Sequence, residues 1–594
     1  MSYQNGKDCL PEYTIQNIRD ILISNGLFPH ETFWASHAKN CYNLRLELDG
    51  FPEIGTNGKG ISRPYALASA YGELMERLES GILLKQTFGL MKEVIRKYPD
   101  SRVEKLGETV KRLDNLFNKI LEKEKGTTLE PFLDLKFTNL PYYHINSKTE
   151  VYLPELMSFI SGSNGMCAGN TADEALVQGL SEIMERYVSK KIEITEYDFP
   201  DIPLEEVSNP TLNEMIADLQ NKGYKIVIKD LTLGGVYPCL GVIIIDINTM
   251  NFFISLGAHP LFDIALQRCI TEAFQVDQIQ TKLNAFSSLF DNENINRFRQ
   301  LKTGAHKGNI KIFESSKPST AYKAAFVKSN SSNDEMLKFI CSKLISMGYD
   351  IYIRNTSYLG FPSYRIYVNG MSEKAPLAQT LKEISSNFPL KKYLLNLKNC
   401  DVNELQILAG MFEELNDEFE RDKFTPANKY REILGRCIVI FEPDTDFHIL
   451  LKDIDYFLAI LYSRLANYEK AYVYLSKYIH KQHGAFSGVQ YYLCVLHFFR
   501  LKAQGKDIQE IRNILEPVYG TTALEVMDDV SVPEKAFQYF DLPSCGDCSH
   551  CSYNDGRCSY PNWKSFAQTF QQKVKNYTEG QNELVLLFDK LSII

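Results

Sequence analysis

The stretch Gly169 to Tyr187, GNTADEALVQGLSEIMERY, sets Glu174, Gln178, Glu182 and Glu185, followed by Arg186, among residues that otherwise suit the buried side of a helix. At about 100° per residue those four polar side chains fall within an arc of about 80°, while Leu176, Val177, Leu180, Ile183, Met184 and Tyr187 take the opposite side. The segment SAYGELMERLES repeats the pattern. Ser69, Glu73 and Glu76 lie within about 60°, Arg77 follows, and Tyr71, Leu74, Met75 and Leu78 oppose them. A third segment, LQRCITEAFQ, puts Arg268, Glu272 and Gln275 on one narrow face and turns Leu266, Ile270, Ala273 and Phe274 away. One such helix reads as an ordinary solvated face; three with the same stripe can line one cleft. Carboxylates crowded together repel unless a cation lies between them. Magnesium suits best, because it is a hard ion that takes carboxylate and phosphate oxygens and keeps its waters. The arginines and Lys59 can then meet phosphate oxygens directly.

The run GTNGKGIS, Gly55 to Ser62, precedes SAYGELMERLES and invites a phosphate-loop reading. That motif needs a glycine five positions before the Gly of GK, and position 53 is Glu53, so the reading fails. A glycine-flanked lysine still lets a backbone approach a phosphate or an incoming peptide, and a plain turn accounts for the run equally well.

These segments need a frame to position them. Helical patterns over 65–84, 171–191 and 265–283 alternate with KIVIKDL, GVYPCLGVIII, FFISLGA and YRIYVNG, whose β-branched and aromatic residues predict strands. Residues 1–395 therefore read as a mixed α/β (α+β) domain. Residues 400–594 read as an all-α, tetratricopeptide-like domain, from successive helical hairpins such as YFLAILYSRLANYEKAYVYLSKYI. A chain of 594 residues requires more than one packed unit. The net charge of -9 argues against direct nucleic-acid binding as the main activity. No basic leader or membrane-length apolar run is present, which predicts a cytoplasmic protein without a membrane partner.

The motifs carry a family resemblance. SxxxExxER at Ser69 to Arg77, NGMCAGNTADEALVQGLSEIMERYV at Asn164 to Val188 and LQRCITEAFQ resemble, in order and spacing, the nucleotide-binding motifs of the YcaO family. SLGAHP before the third block and NGKD at the N-terminus fit as well, and the helical extension resembles the long stand-alone members. The resemblance implies ATP- and Mg2+-dependent activation of a peptide or protein backbone amide by phosphorylation of its oxygen, with ATP going to ADP and phosphate. Cys, Ser or Thr side chains or external sulfide then displace that oxygen, giving azolines, thioamides or amidines. Position by position, it implies an ATP and magnesium site made of Ser69, Glu73, Glu76, Arg77, Asn170, Glu174, Gln178, Glu182, Glu185, Arg186, Arg268 and Glu272. Glu73, Glu76, Glu182 and Glu185 would hold the metal, and Glu76, Glu185 and Arg186 would be the catalytic residues. Lys7 and Thr14 match N-terminal positions that reach the nucleotide. Cys167 stands where the family has a serine hydroxyl on the nucleotide.

Azoline-forming members end in a proline-rich tail, whereas the closing run here is LLFDKLSII, which points away from that branch. The long members are accessory factors for methylthiolation of a small-subunit ribosomal protein. The implied partners are thus a peptide or ribosomal protein substrate, a sulfur-transfer or methylthiotransferase partner, and a second copy in a homodimer. The alternative is a non-catalytic ATP-binding scaffold acting through its helical domain. Separately, Cys545, Cys548, Cys551 and Cys558 are spaced C-x2-C-x2-C-x6-C. In a reducing compartment such a cluster reads as Zn2+ or an iron-sulfur cluster rather than as disulfides.

Overall fold

The computed structural model describes residues 4–83, 101–124, 128–194, 198–274, 310–314, 320–382, 393, 397–421, 454–481, 489–535, 560–577 and 580–593. The chain forms two compact units. The first comprises Met1–Leu83, Glu93–Ala378 and Asn562–Ile594, and the second Leu84–Lys92 and Gln379–Pro561.

The first unit holds three sheets, all with antiparallel pairing among the described residues. After helix α1 (Pro11–Ser24), strands β1 (Pro29–Ala38), β2 (Cys41–Leu48) and β3 (Phe51–Gly60) form a three-stranded sheet covered by α2 (Arg63–Glu79). The run GTNGKG, expected as a loop, is thus the second half of β3. Its glycines serve packing. A Cβ at Gly58 would collide with the Ala66 carbonyl and lie 2.7 Å from the Ala70 amide nitrogen, so only glycine lets α2 settle onto the strand. Strand alternation meanwhile leaves the Lys59 side chain clear of that contact.

A six-stranded sheet runs β4 (Arg102–Lys105), β5 (Lys136–His144), β12 (Ile351–Asn355), β13 (Ser363–Val368) and β7 (Met166–Ala168), with β6 (Thr149–Pro154) paired to β5. The third sheet has the order β11 (Phe252–Ala258), β10 (Cys239–Asp246), β9 (Tyr224–Asp230), β8 (Asp201–Ile202). The apolar run CLGVIIID in β10 has no polar face because both faces are covered. Leu240, Val242 and Ile244 join the core that holds α4 (Pro210–Asn221) and α5 (Phe262–Ala273), while Cys239 and Ile243 point into the core around α3 (Ala172–Ile194). That second core also takes Ile351, Ile353, Ile366 and Val368 from the six-stranded sheet. Helix α3 is therefore packed between two sheets, which explains why only a narrow stripe of it is polar. A Cβ at Gly257 would collide with the Ala265 carbonyl and lie 2.8 Å from the Cys269 nitrogen, so α5 docks on β11 as α2 docks on β3.

The sequence boundary at 395–400 differs from the structure in two ways. The second unit begins near residue 379, and the segment from Asn562 returns to the first unit. The reason is packing: Leu584, Phe588 and Leu591 of the helix Gly580–Leu591 are buried in the α3 core, Phe588 stacks on Tyr143 at 5.8 Å, and Asn355 donates to Glu583 at 2.7 Å. Within the second unit, helices such as Ile454–Arg464, Tyr468–Lys481 and Val489–Ala503 pack on their sequence neighbours around Phe412, Phe457 and Tyr478. A tetratricopeptide array is a narrower class than this packing defines. Cys545, Cys548, Cys551, Cys558 and Gln275 lie outside the described residues. Among the described residues no helix is long and apolar enough to cross a membrane.

Candidate functional site

Helices α2, α3 and α5 turn their polar stripes toward one cavity of about 380 Å³, closed on another side by the N-terminal segment. Fourteen of the fifteen side chains expected at a nucleotide and metal site line it, and the exception is Cys167. Cys167 lies on β7 with its side chain in the core, where Sγ donates to the Tyr364 carbonyl at 3.6 Å and packs against Gly179. Burial, with Glu76 and Glu182 nearby, pushes its thiol well up. The residue occupies the expected place in the motif, but strand alternation points it inward and brings Ala168 to the cavity instead.

The carboxylates are stored against cations. Glu73 pairs with Arg77 and accepts the Asn57 amide at 3.2 Å. Arg186 meets Glu182 at 2.9 Å. Glu185 takes Arg268 at 3.4 Å and the Ala258 amide at 3.1 Å. Lys59 pairs with Glu272, and Arg268 also donates to Gln178 at 2.6 Å. The Glu76 side chain makes no hydrogen bond or ion pair among the described residues, and burial together with Glu182 and Glu73 pushes its carboxyl well above the ordinary range. Among the described residues no three His, Cys, Asp or Glu side chains form a ready-made metal cage. The donors nonetheless suit magnesium, which uses one or two carboxylates and draws its other ligands from phosphate and water. The Nε of Arg268 is buried without a hydrogen-bond partner among the described residues, a second sign that an anion belongs in the cavity.

Four expected nucleotide residues, Lys7, Thr14, Asn170 and Glu174, are already committed to one another. Glu174, only 4% exposed, receives Lys7 Nζ at 3.0 Å, the Asp8 amide at 3.0 Å and Asn170 Nδ2 at 3.0 Å, while Thr14 Oγ1 donates to Asn170 at 2.8 Å. Burial alone would raise the Glu174 carboxyl; Lys7 and these donors outweigh it and hold it low. Glu174 therefore ties the N-terminal segment over the cavity, and is set apart from the four metal candidates. Asp8 extends the tie, accepting from Thr171 and from Asn333 at 2.9 Å.

Several lining residues escaped the sequence reading. His259, from the SLGAHP run, is buried, and its Nδ1 accepts the Leu261 amide at 3.0 Å, which fixes the proton on Nε2. Burial, then Arg268 and Lys7, keeps its pKa well below the ordinary range, so it faces the cavity as a neutral donor. Gly72 lies on the α2 stripe between Ser69 and Glu73, and a Cβ there meets nothing within 4 Å. Gly72→Ala is expected to stabilise the protein by about 0.5–1 kcal/mol through helix propensity. The added methyl enters the cavity, so nucleotide affinity measured by calorimetry should fall in the same variant.

Fold and cavity together define a mixed α/β protein whose charged cleft suits a polyanion accompanied by a cation. Residues 57–372 match the family described as YcaO cyclodehydratase, ATP- and Mg2+-binding, and the chain belongs to the YcaO family. The ribosomal protein S12 methylthiotransferase accessory factor YcaO of Escherichia coli is 28% identical over 557 residues, covering 90% of this chain and 93% of that protein. An uncharacterized protein of Haemophilus influenzae is 27% identical over 563 residues, covering 91% and 94%. The solved structure of YcaO from Methanopyrus kandleri bound with AMPPCP and Mg2+ is 15% identical with a TM-score of 0.40, covering 61% of this chain and 92% of that one.

Proposed function

We propose that the chain binds ATP with Mg2+ in this cavity and uses it to phosphorylate a backbone amide oxygen of a peptide or protein. The observation that carries this reading is the convergence of paired carboxylates and basic side chains from three separate helices on one cavity. Glu73, Glu76, Glu182 and Glu185 would hold the metal. Magnesium, when bound, neutralises charge building on the phosphate oxygens. Arg77, Arg186, Arg268 and Lys59 would exchange carboxylate partners for phosphate oxygens, so binding trades one set of ion pairs for another at little net cost in buried charge. In the transfer step the amide oxygen bonds to the γ-phosphorus, the bond to the bridging oxygen breaks, and ADP leaves with that electron pair. Loss of phosphate then becomes easier than loss of the original oxygen. The similarity to the Escherichia coli accessory factor over 90% of the chain favours a role in ribosomal protein methylthiolation over azoline formation.

Calorimetric titration with AMPPCP tests the binding half of this reading. Saturable binding that tightens with Mg2+ is expected, and an absence of binding in both conditions contradicts it. A pH series adds a residue-level check. Burial, then the Arg268 charge, holds the Lys59 ammonium down to about 8. Its charge is present below that pH and lost above it, so Mg2+-free AMPPCP affinity should fall roughly tenfold from pH 7 to pH 9. Lys59→Met should flatten that component.

A further inference from the structure

A second cavity, of about 430 Å³, shares Gln4, Asn5, Ile264 and Gln267 with the first. The two differ in chemistry. The second is lined by apolar side chains such as Leu212, Phe262 and Val327 and by the hydroxyls of Ser208, Thr211 and Ser329, and contains no lysine or arginine among its described lining residues. Its one charged lining group is Asp263, held by Asn209 at 3.1 Å. A phosphate there would be buried without a cation and beside a carboxylate, so the occupant is neutral or basic. The shared wall is also specific. Gln4 Nε2 donates to Gln267 Oε1 at 2.6 Å, which uses the NH2 of one amide and the carbonyl of the other. Among the described residues the carbonyl of Gln4 and the NH2 of Gln267 are left over, an acceptor and donor pair complementary to a peptide unit.

We infer that the second cavity is the acceptor site, where the Gln4 and Gln267 pair holds a backbone amide at the border of the polyphosphate cavity and the apolar lining takes a neighbouring apolar side chain. This rests on the ATP reading above and adds the location and side-chain preference of the substrate. Acidic residues are disfavoured by Asp263. The lining joins an apolar wall to several convergent polar groups, the combination by which small-ligand pockets hold and orient a ligand.

The probe is N-acetyl-L-leucine N-methylamide, followed by ligand-observed NMR on full-length protein loaded with AMPPCP and Mg2+. Binding is expected, about tenfold weaker for the glycine analogue, which lacks the apolar side chain. The aspartate analogue should bind more weakly still and recover in Asp263→Asn. Thr211→Trp and Ser208→Trp fill the second cavity only, and each should abolish probe binding while retaining AMPPCP. No probe binding to loaded wild type overturns the inference, as does equal binding to both Trp variants. Loss of AMPPCP in both Trp variants would make the cavity part of the nucleotide site and also overturn it. Wild type that fails to bind AMPPCP removes the ATP reading, and the inference with it.

Discussion

Glu76→Gln and Glu185→Gln should each lower Mg2+-dependent phosphate release from ATP by roughly 100-fold or more, since a lost electrostatic contact to the transferring group costs several kcal/mol. Glutamine keeps the shape and removes the charge. The two variants should differ before any nucleotide is added. Glu76 has no cationic partner at hydrogen-bonding distance among the described residues, and burial, then Glu182 and Glu73, disfavours its charge in the fold, so the neutral amide removes that cost and the melting temperature should rise. Glu185 is bonded to Arg268 and to the Ala258 amide, so losing its charge leaves the half-buried Arg268 guanidinium without its carboxylate and the melting temperature should fall. A stabilised but inactive Glu76→Gln protein is the signature of a carboxylate kept for a metal. Wild-type rates in both variants would remove Glu76 and Glu185 from the reaction.

Glu79→Gln should change the pH dependence of stability. Glu79 is fully buried one turn beyond the acidic stripe; one oxygen accepts the Leu359 amide at 2.7 Å and the other has no hydrogen-bond partner among the described residues. Burial raises its pKa to about 8. The folded protein therefore holds this proton at pH values where the unfolded chain, near the ordinary 4.5, has lost it. Its contribution is complete below the unfolded value, declines as pH rises, and is exhausted above about 8. The glutamine variant carries no such proton. Relative to wild type it should gain little at pH 4 and on the order of a few kcal/mol by pH 8.5, because each pH interval of one between the unfolded and folded values is worth about 1.4 kcal/mol. Parallel denaturation curves across that range would show Glu79 to be ionised in the fold. Leu359 is two residues from Phe361, which lines the same cavity as Glu76.

The polar stripes on α2, α3 and α5 were legible because helical spacing is local: three side chains at i, i+4 and i+7 share a face whatever they pack against. Lys59 was legible as a charge but not as a strand residue, since Gly55, Gly58 and Gly60 depress strand propensity and the docked α2 backbone that requires them is a tertiary fact. Cys167 misled for a related reason: a motif gives the position but not the direction of a side chain on a three-residue strand. The role of Glu174 depended on Lys7 and Asp8, more than 160 residues away in sequence. His259 lay in the SLGAHP run, but the Leu261 amide on its Nδ1, which fixes its tautomer at the cavity wall, is a contact that the run does not encode. The return of Leu584 and Phe588 to the first unit was equally hidden, because an amphipathic terminal helix does not encode which core it joins.

The most direct measurement is anomalous diffraction from crystals grown with AMPPCP and Mn2+ in place of Mg2+. The expected map has manganese held by carboxylates from the Glu73, Glu76, Glu182 and Glu185 group, with phosphate oxygens on Arg77, Arg186 or Arg268. Nucleotide bound elsewhere, or manganese absent from those glutamates while nucleotide fills the cavity, would contradict the assignment of this site.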